Sequence, residues 1–324
     1  MNIATIGTNF IVERFINATL DIKDLNVSTV YSRNTNTAIE FANKFNIKQT
    51  YTDLKLMLSD SDIDIVYVAS CNDLHYIQAK EALLNDKHVI CEKPFCSNLK
   101  QVIELYRIAE EHNVFIFEAI TTVHLPNYKS IIKDLNSIGC IRIINANFSQ
   151  YSSRYDKYLN GELSNVFTLE HSGGSLMDIN IYNLHFIIGL FSVPNSLCYY
   201  PNLGFNGVDT SGILMLDYGS FKACCIGAKD SKSDNFVNIQ GELGSIYVNE
   251  ESSRCVSYRL INCDGEVIKN VQLNSNPLYY ELLDFLSIIN SNDMVEYNNL
   301  KAHSISVMEL LDTARNSANI KIID

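Results

Sequence analysis

Apolar and polar residues alternate along the first 120 residues in a repeating pattern of strands and helices. Short apolar runs, typical of strands buried on both faces, are separated by segments with apolar residues at helical spacing, such as Ala38, Phe41 and Phe45. The pattern predicts strands at residues 2–6, 26–31, 63–69, 88–91 and 114–118, and helices at 11–20, 35–45, 74–84 and 99–112. Such alternation predicts an α/β fold with a doubly wound parallel sheet.

The pattern changes beyond about residue 121. A helix at 127–135, a long strand at 141–151 and a very apolar helix at 175–191 are followed by strands without helices between them. These strands are expected at 196–200, 212–217, 221–227, 236–240, 245–248, 256–261 and 267–273, before two helices at 278–290 and 302–318. Successive strands predict a large, mostly antiparallel sheet. We therefore expect two domains, an α/β domain of residues 1–121 and an α+β domain of residues 122–324.

Composition narrows the class of protein. The 324 residues suit two domains, and 47% hydrophobic with 19% charged residues is typical of a soluble globular protein. The net charge of -12, without clustered Lys and Arg, argues against nucleic acid as a partner. No apolar stretch reaches the roughly 18 residues that a membrane helix needs, and the N-terminus does not look like a signal peptide. We expect a cytoplasmic protein without a membrane partner.

Cysteines and histidines give no sign of disulfides or metal ligands. The nine cysteines are an odd number and form no CxxC pair, so we expect reduced residues of the core. The seven histidines form no HExxH or other paired-ligand pattern. The sequence therefore predicts no metal site.

A lysine stands at the end of one predicted strand. Pro94 supplies no backbone donor and disfavours helical geometry in the residue before it, so the strand 88–91 stops at Lys93. Ligands of open α/β sheets bind beyond the carboxyl ends of the strands. The Lys93 amine is therefore well placed for chemistry, although an exposed lysine in a turn is the alternative.

The first strand-to-helix turn, residues 6–12, is where a dinucleotide fold places its glycine loop and holds the pyrophosphate on a helix N-terminus. Gly7 matches the glycine of the tight turn, but Asn9 and Val12 replace the second and third glycines. We expect Asn9 to adopt left-handed geometry and Val12 to hold helix and strand slightly apart. An ordinary strand-helix turn is the alternative.

Polar residues also follow two other strands. Ser32 and Arg33 stand where NAD-specific sites usually carry a carboxylate, and a guanidinium suits the 2′-phosphate of NADP. The alternative for Arg33 is a solvated loop residue. In residues 69–75, Asn72 or Asp73 is a good N-cap for the next helix, and capping alone would explain both.

One polar stripe interrupts the apolar helix at 175–191. Asp178, Tyr182 and His185 are spaced four and three residues apart, which places them on the same side of a helix. Their burial would be costly unless they were paired or faced a wet cleft. Gly173 and Gly174 permit the close approach of a ligand or another backbone. A satisfied polar cluster at a domain interface is the alternative.

These motifs follow one another in a specific order. They are Gly7, Ser32-Arg33, Asn72-x-x-His75, Glu92-Lys93-Pro94, Glu118-Ala119 and Gly173-Gly174-Ser175-Leu176-x-Asp178-x-x-x-Tyr182. Together they resemble the Gfo/Idh/MocA family of nicotinamide-dependent oxidoreductases. The likeness covers nearly the whole chain and extends to residues 241–246 and to the last helix with Met308, Leu311, Ala314 and Arg315. Many members carry His at the position of Tyr182. The tyrosine resembles the pattern of the dihydrodiol dehydrogenase and glucose-fructose oxidoreductase branch.

The resemblance implies a Rossmann domain at 1–121 and a domain at 122–324 that binds substrate and forms a homodimer or homotetramer through its sheet. It implies that Lys93 is the proton donor or acceptor, with Asp178 and Tyr182 beside it. The departures from the family pattern are Asn9, Val12 and Asn180, which stands where glycine is usual.

Candidate ligand-binding residues follow from the strand ends and the resemblance. For NADP or NAD, with NADP slightly preferred, they are Gly7, Thr8, Asn9, Phe10, Ile11, Ser32, Arg33, Ser70, Asn72, His75, Glu92, Lys93 and Glu118. Residues 150–171 are expected to help line the substrate pocket. The candidate substrate contacts are Arg154, Tyr155, Asn165 and His185.

The predicted reaction moves a hydride between the nicotinamide and a hydroxyl or keto carbon of a sugar, polyol or related small molecule. A positioned acid or base accelerates the accompanying proton transfer by about 10² to 10⁴. The alternative is a regulator or subunit that binds the dinucleotide without catalysis.

Overall fold

The computed structural model describes residues 1–322 and divides into two compact units. Unit 1 contains residues 1–119 and 278–304, and unit 2 contains residues 120–277 and those from Ile305 onward.

Unit 1 contains a six-stranded parallel sheet. Its strands are β1 (Asn2–Ile6), β2 (Asn26–Tyr31), β3 (Gln49–Tyr51), β4 (Ile65–Val68), β5 (His88–Glu92) and β6 (Ile116–Ala119). Its first helices are α1 (Phe10–Thr19), α2 (Thr35–Phe45), α3 (Leu54–Leu58), α4 (Asn72–Leu83) and α5 (Leu99–His112). The strand order β3-β2-β1-β4-β5-β6 reverses between β1 and β4, where open α/β sheets bind their ligands. The predicted doubly wound sheet is confirmed.

Unit 2 is built on an eight-stranded sheet in the order β14-β13-β12-β11-β7-β10-β9-β8. The strands are β7 (Ile141–Ser149), β8 (Ser196–Leu203), β9 (Asp209–Asp217), β10 (Lys222–Ala228), β11 (Phe236–Gly241), β12 (Ser245–Val248), β13 (Tyr258–Asn262) and β14 (Gly265–Lys269). Its helices include α6 (Pro126–Asp134), α7 (Tyr155–Leu159) and α8 (Ile181–Phe191). Among these strands, β7 and β10 pair in parallel and the other neighbours pair antiparallel. The mostly antiparallel sheet is therefore also confirmed.

The two faces of the unit 2 sheet differ in exposure. Alternate residues, such as Ile144 and Leu214, are fully buried. On the opposite face Ile143, Tyr200 and Ile213 are exposed, and Tyr200 and Ile213 are direct neighbours on paired strands. The sheet thus presents a partly apolar outer face.

Two C-terminal helices, α9 (Leu278–Ser291) and α10 (Met294–Ser317), complete the fold. Residues 278–304 belong to unit 1, whereas the sequence suggested one domain over residues 122–324. Aromatic packing explains why residues 278–304 belong to unit 1. The Phe285 ring stacks on that of Phe117 with ring centres 4.5 Å apart, and the Tyr297 ring lies edge-on to Phe117 with centres 5.6 Å apart. Apolar side chains of β6 thus bring a distant segment back to the first sheet.

All nine cysteines are free thiols. Cys91, Cys96, Cys225 and Cys255 are buried, as expected for core residues, whereas Cys140 and Cys263 are exposed, so that expectation holds for only part of the set. No helix within residues 1–322 has the length and apolarity needed to cross a membrane.

Candidate active site

Gly7 forms the first turn at the switch point of unit 1. Its φ of +119° is a conformation that side chains rarely adopt, and a Cβ atom here would lie 2.6 Å from the carbonyl oxygen of Ala69. Its N–H donates to the Tyr31 carbonyl at 3.3 Å. Glycine is therefore required where β1, β2 and β4 converge.

Asn9 differs from the expectation of left-handed geometry, since its φ is −88°. It is the N-cap of α1: its Oδ1 accepts from the N–H groups of Ile11 and Val12 at 3.1 and 3.3 Å. Its Nδ2 donates to the Ala69 carbonyl at 2.8 Å. Extended geometry is the normal state of an N-cap, and this explains why the prediction was wrong.

The other predicted residues of this turn lie at the same helix end. Thr8 is half-buried in the turn, and Phe10 and Ile11 are the first two residues of α1. The Phe10 ring is exposed, and the Arg14 guanidinium lies 5.7 Å from its centre. The Phe10 ring is therefore presented to solvent beside the backbone N–H groups that Asn9 caps.

Ser32 and Arg33 follow β2 directly, next to β1 in the sheet. The Ser32 N–H donates to the Tyr51 carbonyl at 3.1 Å, and its hydroxyl accepts from the Asn34 N–H at 3.3 Å. The Arg33 side chain is exposed. A guanidinium is thus presented at the sheet edge that also carries the Gly7 turn.

His75 links two strand ends. Its imidazole is buried, with Nδ1 2.9 Å from the Pro94 carbonyl and Nε2 3.3 Å from the Ser70 carbonyl. Burial lowers the pKa of His75, which favours the neutral ring. A neutral imidazole has one N–H, and we assign it to Nδ1 from the shorter distance. His75 therefore holds the turn after Lys93, and a direct contact with a cofactor stays a prediction.

The predicted N-cap of α4 is displaced by one residue. Cys71 occupies the cap position, and Asn72 and Asp73 are the first residues of the helix. The half-buried Ser70 donates from its hydroxyl to Gln78 Oε1 at 2.6 Å. The expectation that Asn72 or Asp73 caps α4 was therefore wrong.

Glu92 is the last residue of β5, and Lys93 follows it with a cis peptide bond to Pro94. The Glu92 carboxylate is 8% exposed and accepts a 2.6 Å hydrogen bond from the Tyr67 hydroxyl. Burial raises the pKa of Glu92, although Tyr67 acts in the opposite direction. Lys93 is half-buried at the strand end, as predicted.

Glu118 lies on β6, opposite Cys91 of β5 in the parallel register. Its side chain is buried at 5% exposure. The predicted cofactor contacts of both Glu92 and Glu118 would therefore involve carboxylates that are mostly enclosed by unit 1, and these contacts stay predictions.

In unit 2, the helix that carries Asp178 begins at two glycines. A Cβ on Gly173 would lie 2.6 Å from the Asn165 carbonyl, and one on Gly174 (φ +112°) would lie 2.1 Å from Asp209 Oδ1. The same Asp209 carboxylate accepts from the Leu176 N–H and the Tyr199 hydroxyl, both at 2.7 Å. The sequence left open whether a ligand or another backbone approaches these glycines. In the structure a backbone approaches Gly173, and the Asp209 carboxylate approaches Gly174.

The predicted helix at 175–191 starts with a π-helical turn, Leu176–Asn180, and continues as α8. Asp178 and Tyr182 are half-buried, and the Tyr182 ring lies 5.8 Å from that of Phe148. His185 is fully buried. The wider π turn changes only the angular offset between Asp178 and the residues after it, whereas Tyr182 and His185 keep regular α-helical spacing.

Two asparagines attach this helix to strand β10. Asn180 Nδ2 donates to the Cys225 carbonyl, and Asn183 Nδ2 donates to the Ile226 carbonyl, each at 3.0 Å. Gly227 allows the close approach, since a Cβ there would lie 2.6 Å from the Asn180 Cβ. Asn180, which replaces the usual glycine of the family pattern, therefore has a structural role.

Lys229 is a charged residue that the sequence interpretation missed. Its ammonium forms an ion pair with Asp178 Oδ2 and lies 5.3 Å from the centre of the Phe167 ring. The sequence could have indicated its burial. Ala223, Cys225 and Gly227 are buried at alternate positions of β10, and Lys229 is the next position in this two-residue period.

The expected substrate segment, residues 150–171, is an aromatic loop around α7. Tyr155 packs against Tyr158 and Phe167, with ring centres 5.9 and 5.7 Å apart. Arg154 and Asn165 are exposed. The structure therefore leaves Arg154 and Asn165 accessible and encloses His185.

Comparison with known proteins identifies the family. The model of the Gfo/Idh/MocA oxidoreductase family, described by its NAD-binding Rossmann fold, matches residues 1–120. The chain is also 36% identical over 319 residues to scyllo-inositol 2-dehydrogenase (NADP(+)) of Bacillus subtilis (strain 168), covering 98% of this chain and 97% of that relative. The chain belongs to the Gfo/Idh/MocA family. This confirms the resemblance seen in the motifs and identifies an NAD(P)-dependent oxidoreductase.

One further relative and one solved structure are also similar to this chain. Trans-1,2-dihydrobenzene-1,2-diol dehydrogenase of Xenopus tropicalis is 31% identical over 205 residues, covering 62% of this chain and 60% of that relative. A crystal structure of a 3-ketoreductase from Actinomadura kijaniata with NADP and TDP-benzene has a TM-score of 0.86 at 20% identity, covering 98% of this chain and 97% of the other. That similarity shows the shared fold.

The geometry of unit 1 fits the dinucleotide of this family. The strand order reverses beside the Gly7 turn, and α1 begins at that point. Because a Cβ at Gly7 would lie 2.6 Å from the Ala69 carbonyl oxygen, the absence of a side chain lets this turn pack closely on the residues after β4. The turn thus lies at the switch point of the sheet, and its contact with the cofactor stays a prediction.

Proposed function

We propose that the chain is an NADP-preferring dehydrogenase or reductase of a cyclic polyol, sugar or diol, with Lys93 as the acid or base at the substrate oxygen. The observation that carries the proposal is an amine at the carboxyl end of β5, in a chain similar over its whole length to a dehydrogenase of scyllo-inositol. A relative named for a dihydrodiol supports a substrate with neighbouring hydroxyl groups.

The proposed chemistry needs one proton transfer. Bound nicotinamide supplies or accepts the hydride at the substrate carbon. In the oxidation direction the neutral Lys93 amine takes the hydroxyl proton, and in the reduction direction its ammonium returns a proton to the carbonyl oxygen. Asp178 and Tyr182 are proposed to orient that oxygen and to share the proton.

The proposed cofactor contacts divide by chemistry. The turn at Gly7 and the first residues of α1 hold the pyrophosphate. Ser32 and Arg33 bind the 2′-phosphate, for which a planar guanidinium is suited. The name of the Bacillus subtilis relative, which specifies NADP(+), supports this preference.

We also propose a cytoplasmic homodimer or homotetramer that associates through the unit 2 sheet. Exposed apolar residues on its outer face, such as Ile143, Tyr200 and Ile213, support the interface. Nine free cysteines are typical of a reducing compartment and support the location.

The experiment compares wild type with Lys93→Met and with Lys100→Met, which changes an exposed lysine of α5. Cofactor binding is measured by NADPH and NADH fluorescence, and turnover with a panel of inositols, sugars and diols. Lys93→Met is expected to lose roughly 100-fold or more of kcat while retaining NADPH binding. Full turnover in Lys93→Met would remove Lys93 from the mechanism. Binding without turnover in the wild type would favour a non-catalytic dinucleotide-binding protein.

A further inference from the structure

We propose that Lys229 is a positioning residue that keeps the Asp178 carboxylate ionised and fixed for the reaction. This inference rests on the proposed function, because it assigns a partner to one of the three side chains at which the reaction is proposed to occur. Both residues belong to unit 2, so their contact is formed within one compact body.

The ammonium of Lys229 is enclosed by protein. The residue is 3% exposed, whereas the side chain of Asp178 is 25% exposed. Around the ammonium lie Asp178 Oδ2 and the face of Phe167, whose centre is 5.3 Å away. A buried charge is retained when it is paired, and an aromatic face adds attraction for a cation. The pair therefore has a solvent-facing carboxylate and an interior cation.

The backbone of Lys229 is fixed on both sides. Its N–H donates to the Thr210 carbonyl at 2.8 Å, and its carbonyl accepts from the Ser152 N–H at 2.9 Å. The neighbouring carboxylate of Asp230 accepts from the hydroxyls of Thr210 and Ser211 at 2.7 and 2.8 Å. Asp230 thus has its own partners, and Lys229 is directed to Asp178.

The partner helix is fixed to the same strand. The bonds from Asn180 and Asn183 to carbonyls of β10 hold the π turn on which Asp178 lies. Because β10 carries Lys229 at its end, one strand sets the position of both the carboxylate and its cation. Without the cation, a partly buried Asp178 would take up a proton at higher pH, and the neutral acid accepts a hydrogen bond from a substrate hydroxyl less strongly than the carboxylate does.

The test uses Lys229→Met, Lys229→Arg and the control Lys232→Met, which changes an exposed lysine three residues further along. The Asp178 carboxyl is followed by NMR in protein labelled with ¹³C-carboxyl aspartate, and its signal is assigned by its loss in Asp178→Asn. Turnover is measured across pH, and NADPH binding by fluorescence. The NMR titration reports on the ion pair whether or not a substrate has been found.

In Lys229→Met the titration midpoint of Asp178 is expected to move to higher pH by about one unit or more, with an equal shift in the acid limb of kcat/KM. Lys229→Arg should restore most of both shifts, Lys232→Met should match wild type, and NADPH binding should be unchanged. If Lys229→Met does not fold, Lys229→Arg is compared with wild type, and an Asp178 midpoint that moves to higher pH although a cation is retained would overturn the inference.

An unchanged titration midpoint of Asp178 in folded Lys229→Met would overturn the inference. A midpoint that shifts as far in Lys229→Arg as in Lys229→Met would also overturn it. The proposed function fails separately, through full activity of Lys93→Met or an absence of turnover in wild type. If Lys93→Met loses turnover as expected while the pH profile of Lys229→Met is unaltered, only the role of Lys229 is rejected and the proposed function stands.

Discussion

The hydroxyl of Tyr67 donates a 2.6 Å hydrogen bond to Oε1 of the buried Glu92, one residue before Lys93. The Tyr67 ring is itself held by stacking on Phe15 at 3.7 Å. Burial raises the pKa of Glu92, so the folded chain keeps this proton at pH values where the unfolded chain has lost it. Stability from this group is therefore complete below the unfolded pKa and declines as the pH rises towards the folded pKa.

Tyr67→Phe should increase the loss of stability with rising pH. The variant removes the donor that favours the charged carboxylate, so we expect a loss of about 1.5 to 3 kcal/mol in the free energy of unfolding near pH 8. Near pH 4.5 the loss should be smaller, because the raised pKa leaves a larger fraction of Glu92 protonated there than at pH 8. Urea unfolding at both pH values measures the difference.

The control is Tyr76→Phe, which removes a 2.8 Å bond from Tyr76 to the more exposed Glu104. Glu104 also pairs with Lys80, which lowers its pKa, so the change should be small and similar at both pH values. Equal losses for Tyr67→Phe at pH 4.5 and pH 8 would contradict the assigned role of Glu92.

Asn9→Gly should strengthen cofactor binding. The Asn9 side chain occupies the N–H groups of Ile11 and Val12, at the helix end where the pyrophosphate is proposed to bind. Freeing these donors should lower the Kd for NADPH roughly threefold to tenfold, while the exchange of the cap for glycine costs only a few tenths of a kcal/mol. Fluorescence titration and thermal unfolding measure the two effects.

Asp53→Gly serves as the matched cap deletion, because Asp53 accepts from the N–H groups of Lys55 and Leu56 at the start of α3. It should leave the Kd for NADPH unchanged. Weaker NADPH binding in Asn9→Gly would show that the cap supports the cofactor site instead of competing with it.

Arg33→Gln should change cofactor preference. Arg33 is an exposed guanidinium at the end of β2, and the proposed 2′-phosphate contact would be a charge-assisted hydrogen bond. We expect the Kd for NADPH to rise about tenfold, since such bonds contribute about 1.5 to 3 kcal/mol and solvent weakens an exposed one. NADH, which lacks this phosphate, is the internal control. Parallel changes for both cofactors would point to a solvated Arg33.

The sequence predicted the elements whose side chains repeat in a regular pattern. The apolar runs of unit 1 became strands, but β3 (Gln49–Tyr51) was missed because its three residues are polar or exposed and give no apolar signal. The return of residues 278–304 to unit 1 was also missed. It depends on aromatic contacts such as Phe285 with Phe117, far apart along the chain, which no local pattern reveals.

The candidate site shows the same limit. Lys93 could be predicted because Pro94 marks the strand end beside it. Lys229 and Asp209 could not be assigned partners from spacing, since each acts on a helix that lies 33 or more residues away along the chain. The π turn that carries Asp178 could not be predicted either, since an average helical period cannot represent such an irregularity.

The attachment of the Asp178 helix to β10 has an evolutionary consequence. Its asparagine bonds end on main-chain carbonyls, which every residue type provides, so the strand is free to exchange outward-facing side chains without shifting the helix. The aromatic loop at 150–171 is a separate part of the same unit. The side chains of that loop can therefore change while the helix that carries Asp178 keeps its place on the sheet.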